Sequence, residues 1–219
     1  MSSTDDVQSA VPEAGSLPYT DDYNVGGPEF ADVIVALNAV HDSLRMAIAP
    51  SSDAVEATRF LQGAAKVFSK YQVAEGEQAV SRRPDLPGRG NPLAAPFAVV
   101  EAGGQDDSWA AEGVFTAAYI GRGAVHGGWV THIFDEHMGR LAEYPGFPAR
   151  TAYLNVNFRS LTPIGALLRL EYRVVKRERR KIFVAGRLLH GEIVTADAEG
   201  LWVMPRAADR INGGATFSR

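Results

Sequence analysis

Apolar positions change their period along this chain, and the changes divide it. Phe30, Val33, Leu37, Val40, Leu44 and Ile48 recur at helical spacing after Pro28-Glu29 and stop at Pro50, which predicts an amphipathic helix. A second helix is predicted from a cap at Ser51-Ser52-Asp53 to about Tyr71, with Phe60, Ala64, Val67 and Tyr71 on one face. Such a pair is expected to lie on the main domain as a packing hairpin. Residues 81–92 hold three prolines and two glycines, which suits neither a long helix nor a central strand and marks a boundary.

Beyond it the period shortens. Runs rich in β-branched and aromatic residues at 97–102 and 109–120 read as strands, 127–142 as a helix, and 152–159, 167–175, 182–189 and 193–204 as four more strands. Two strands, one helix and four strands exclude a βαβ alternation. They predict an α+β domain in which an antiparallel sheet packs on a single helix. The expected organisation is a flexible leader over 1–28, rich in Ser, Asp, Pro and Gly, a helical extension over 29–80, the α+β domain over 96–205 and a tail over 206–219.

At about 100° per residue the central helix has three sides. Val130, Ile133, Phe134, Met138 and Leu141 fall together and should face the sheet, while His132, Glu136, Arg140 and Glu143 form a polar side. The third side carries Gly128, Thr131, Asp135, Gly139 and Ala142, so its one carboxylate, Asp135, stands among small residues that let a ligand or another chain approach. Immediately before this helix, four of the eight residues from 121 to 128 are glycine. Backbone that approaches something closely needs that composition. Gly127 and Gly128 open the helix, where unsatisfied N–H groups and the positive dipole end favour negative charge, a developing oxyanion included.

The chain has 219 residues, 46% hydrophobic, enough for one sizeable core with an appendage. It has no cysteine, which removes disulfides and thiolate chemistry. A formal net charge of −4 argues against nucleic acid as a partner. The sequence shows no basic leader followed by an apolar run and no stretch of about 18 apolar residues, so a soluble, cytoplasmic protein that does not enter a membrane is expected. Arg82, Arg83 and Arg89, then Arg159, then positions 176–181 are basic clusters that solvated turns explain in the main. His132, Glu136 and His137 suggest metal ligands, but the two histidines point to different sides of a helix, and no metal is expected. Gly121-x-Gly123 lacks the third glycine and the parallel unit of a dinucleotide site.

His126-Gly127-Gly128, with Asp135 nine positions after the histidine, resembles the HGG signature of the phenylacetate-degradation type of hotdog thioesterase. Residues 151–158 with Pro163, and 196–202, resemble the strand after the helix and the last strand of acyl-CoA thioesterases of that superfamily. The resemblance covers about 96–205. It implies a hotdog fold, a curved antiparallel sheet wrapped around the central helix, and a homodimer, with a dimer of dimers as a further possibility, whose sites take groups from both subunits. It implies acyl-CoA as substrate, coenzyme A being part of it, and no separate cofactor. It also implies Asp135 as general base or nucleophile, Thr151 orienting water or Asp135, a Gly127 N–H in the oxyanion hole, and His126 setting the turn or polarising the carbonyl. Gly128, Arg159 for the phosphates of coenzyme A, and Trp129 beside the acyl tail complete the expected set. Trp129, Phe134 and Phe158 either line that tail's tunnel or pack. One departure stands out: Ile120 occupies a position where some relatives carry asparagine, so a side-chain oxyanion donor is missing. Two other readings are an acyl-CoA-binding protein without turnover and an enoyl-CoA hydratase. For the second, Asn91-Pro92-Leu93 is followed by Ala94 where a catalytic histidine is expected.

Overall fold

The computed structural model describes residues 25–74, 77–103, 107–143 and 148–206. Most of the expected leader and all but the first residue of the expected tail lie outside the described residues. Three helices and six strands follow in the order α1 (Glu29–Arg45), α2 (Ser51–Phe68), β1 (Phe97–Glu101), β2 (Ser108–Val114), α3 (Gly127–Glu143), β3 (Arg150–Phe158), β4 (Leu167–Glu178), β5 (Lys181–His190) and β6 (Ile193–Val203). The strands form one antiparallel sheet in the order β1-β2-β4-β5-β6-β3. This is the expected α+β architecture, a hotdog: α3 lies along the concave face of a curved sheet. The run predicted as a strand over 109–120 ends at Val114, where the chain turns into a short 3-10 segment, Ala117–Tyr119.

The core forms where α3 meets the sheet. Val130, Ile133, Phe134, Met138 and Leu141 are buried as the helical period predicts, against Phe97, Leu168, Leu170, Ile182, Leu188 and Trp202. Arg140 corrects the expected polar side: it is buried, as are His137 and Ala142. The sheet curves around α3 on more than one side, so a periodicity argument that allows one covered stripe undercounts what is enclosed. Near the C-terminal end Gly139 accepts the indole of Trp202, whose Nε1 lies 3.1 Å from where a Cβ would stand. The third side of α3 therefore closes at Ala142, while Thr131, Asp135 and Gly139 stay partly open.

The extension is anchored by polar contacts. Arg83, expected in a solvated turn, is buried: its guanidinium binds Asp85 through two bonds of 2.8 Å and donates to the carbonyls of Gly27 at 2.9 Å and Val25 at 3.3 Å. It thereby ties the entrance of α1 to the loop before β1. At the other end of α1, Asp42 Oδ1 accepts the Ala118 N–H at 2.8 Å and Arg45 Nη2 donates to the Ile120 carbonyl at 2.6 Å. The hairpin expectation fails at α2. Helix α1 ends at Arg45, short of Pro50, and no residue of α2 is buried. The α2 apolar face is covered by nothing in the described chain.

Candidate active site

Helix α3 starts on two glycines because both flanks are occupied. A Cβ at Gly127 would stand 3.2 Å from the ring of Phe158 at the end of β3, and one at Gly128 would stand 3.1 Å from His126 Nδ1. That imidazole nitrogen accepts the Gly128 N–H at 3.0 Å, a side-chain cap on the first turn. An accepting Nδ1 puts the ring proton of the neutral imidazole on Nε2. The His126 backbone N–H donates to the Tyr119 carbonyl at 2.9 Å, which ties the turn to the 3-10 segment held by Asp42 of α1. Gly127 N–H has no acceptor among the described residues. Of the two donors expected at this helix start, one is taken by His126 and the other is available to an anion.

Two turns further along α3, Asp135 Oδ1 accepts the hydroxyl of Thr151 at 2.8 Å. Thr151 belongs to β3, the edge strand of the sheet, whose residues are exposed or only partly buried. The pair is therefore open to solvent on the side of α3 that also carries Gly128 and Thr131, and Asp135 keeps a second oxygen for another donor. Thr131, on the same side, returns its hydroxyl to the Gly127 carbonyl at 3.1 Å.

A carboxylate aligned by a hydroxyl can take a proton, and a helix start with a vacant N–H can receive negative charge; both sit in a matched segment. Residues 122–196 match the thioesterase superfamily. That span holds every candidate residue named from the sequence. A crystal structure of a thioesterase superfamily protein is similar to this chain at 26% identity and a TM-score of 0.68, covering 80% of this chain and 94% of that one. Residues 96–205 make up about half of the chain, so the likeness to this thioesterase reaches into the extension. A phenylacetic acid degradation-related protein from Ralstonia eutropha matches at 24% identity and a TM-score of 0.46, covering 49% of this chain and 84% of its own. A Streptococcus mutans protein bound to acetyl CoA matches at 19% and 0.47, covering 50% and 88%. No curated protein matches.

The remaining candidates lie apart from Asp135. Trp129 packs edge-on against Tyr119 at 5.2 Å and His132 at 5.8 Å, and it lines a cleft of about 440 Å³ with His41, Leu44, Arg45 and Leu93. Six residues of helix separate it from Asp135, which turns it to a different side of α3. Arg159 binds Asp197 through two donors, Nε and Nη2, and Asn157 adds a bond of 2.9 Å to the same carboxylate. Those bonds hold the Asp197 carboxyl below the usual range. Phe134 is wholly buried core, whereas Phe158 is exposed beside Gly127.

Sequence reasoning missed four polar groups. His137, considered only as a metal ligand, is buried with Nδ1 3.4 Å from the Tyr172 hydroxyl; burial, then the charge of Arg140, depresses its pKa well below the ordinary value. Asp42 and Arg45 grip the loop leading to the glycines, and nothing in a helical period marks which polar residues will do so. Tyr119 is held by the Ala94 carbonyl at 2.9 Å, and burial, with a smaller push from Asp42, raises its phenol to about 12. Among the described residues no group of three or more His, Asp or Glu side chains is placed to hold a metal ion, and no helix is long and apolar enough to cross a membrane.

Proposed function

We propose that the protein hydrolyses acyl-CoA thioesters in the cytoplasm, in fatty acid metabolism, with Asp135 as general base on water or as nucleophile and the Gly127 N–H receiving the oxyanion. In the general-base form, Asp135 takes a proton from water as the water oxygen bonds to the carbonyl carbon. The carbon–sulfur bond then breaks, and coenzyme A leaves with its sulfur protonated. No cofactor is required.

The observation that carries this reading is the separation of its two halves. Gly127 and Asp135 are eight residues apart on one helix, about 12 Å of rise. A base and an oxyanion donor must each lie within about 3 Å of the reacting atoms. One copy therefore does not offer both to one carbonyl. Both groups open beside β3, an edge strand whose outer backbone groups need a cover. A homodimer joined along β3 supplies it, and brings Gly127 of one copy to Asp135 of the other. In this reading Thr151 orients Asp135, His126 keeps the Gly128 N–H in place, and the Arg159 Nη1 donors serve the phosphates of coenzyme A.

The test is thiol release from short, medium, long and aromatic acyl-CoAs by the wild type and Asp135→Asn. Release that falls about 10²–10⁴-fold in the variant is the expected result. A wild type that binds every acyl-CoA and releases no thiol would instead identify a binding protein.

A further inference from the structure

Helix α2 is amphipathic and uncovered. Ala57, Phe60, Leu61, Ala64, Val67 and Phe68 fall within about 120° of one another on its circumference, with Tyr71 in line just past its end. Thr58, Gln62, Lys66 and Ser69 occupy the opposite side. The five large members of the apolar stripe are 45–74% exposed. An isolated helix of this length is marginal in water, and a stripe carrying two phenylalanines and a tyrosine is a contact surface by its composition.

The stripe is symmetric in sequence. Leu61 and Val67 lie three residues either side of Ala64, Phe60 and Phe68 four, and Ala57 and Tyr71 seven. A helix with that spacing meets an antiparallel copy of itself in register: about a twofold axis at Ala64, each Phe60 faces a Phe68, and each Leu61 a Val67. The small residues Gly63, Ala64 and Ala65 sit at the crossing point, where backbones come closest. Glu56 flanks the stripe near its start and Lys70 follows the helix end, so antiparallel pairing about Ala64 brings each glutamate within about two residues' rise of a lysine of the other copy.

We propose that α2 is a self-association element, packing antiparallel against α2 of a second copy of this chain about a twofold axis through Ala64. Each helix contributes apolar surface on the order of 500 Å². The two together reach about 1,000 Å², the lower range of specific interfaces. A lipid surface has no register and gives no reason for symmetry about Ala64, which is why a second copy is the better occupant.

The absence of cysteine from the chain makes the test direct. Ala64→Cys and Gln62→Cys are made in the full chain and oxidised mildly at micromolar concentration. Only thiols whose Cα atoms come within about 7 Å link readily. Ala64→Cys should form a covalent dimer, and Gln62→Cys, on the opposite face, should not. Adding Phe60→Asp and Phe68→Asp to Ala64→Cys should abolish the dimer, because it puts charge on the paired faces. Equal linking of the two single variants, or none by Ala64→Cys, overturns the proposal. Failure to link, with the wild type co-sedimenting with vesicles containing anionic lipid, would overturn it in favour of a membrane surface. Neither arm requires thioester hydrolysis, so failure here leaves the reading of Asp135 and Gly127 untouched.

Discussion

Thr151, at the start of β3, donates its hydroxyl to Asp135 on α3 across sixteen residues of chain, at 2.8 Å. The bond fixes one carboxylate oxygen, and because Thr151 is exposed it does so without contributing to the core. Thr151→Val should lower kcat for thioester hydrolysis about 10- to 100-fold with little change in KM, since the loss is of alignment. Thr151→Ser should restore most of it. Melting temperatures of the three proteins should agree within a few degrees, and a large fall in Thr151→Val would assign the hydroxyl to folding.

His126 acts through the backbone. Its Nδ1 accepts the Gly128 N–H, so His126→Ala should cost about 1 kcal/mol of stability, as loss of a helix cap does. His126→Asn offers another acceptor at the same place and should recover that loss and the activity together in urea titrations and thiol-release assays. Stability recovered without activity would show that the imidazole touches substrate.

The extension predicts its own phenotype. Arg83 is buried against Asp85 and two carbonyls ahead of α1. Arg83→Met leaves those acceptors uncompensated and should destabilise the protein by about 3 kcal/mol. Limited proteolysis should then cut first within residues 25–45. Unchanged protection of that segment would contradict the clamp.

Burial keeps His137 neutral, and stability should record it. Its folded pKa is depressed, so protonation favours the unfolded state: the stabilising contribution is full above about 6.5, the unfolded value, and is lost as pH falls toward the folded value. The urea midpoint should decline below pH 6.5. His137→Phe, which suits a site between Phe97 and Tyr172, should flatten the decline. The same slope in both proteins would assign it to other groups.

The strand–helix–strand order, the core side of α3 and the pairing of small residues with Asp135 were legible because each follows from a local period. Leu141 facing the core needs no knowledge of what covers it. Arg140 does: its burial depends on how far the sheet curves, which the helical period does not encode. The burial of Arg83 and the grip of Asp42 on Ala118, between residues 76 positions apart, are likewise tertiary events with no local signature. With α2 the sequence signal is right and its destination wrong: the stripe exists, but no surface of the same chain meets it. The nearness of Thr151 to Asp135 came from resemblance, since no spacing argument brings a strand's first residues to a helix's middle.

The central claim is that Gly127 and Asp135 serve one thioester from two subunits. Asp135→Asn and Gly127→Pro, which deletes the N–H at a helix position where proline is tolerated and whose added Cβ the exposed Phe158 ring gives way to admit, should each be inactive alone. Unfolding and refolding an equal mixture should return about a quarter of wild-type thiol release, because half of the dimers are mixed and each of those keeps one intact site. A mixture as inactive as its components, with mixed dimers present, would place both groups in the same subunit's site and contradict the account.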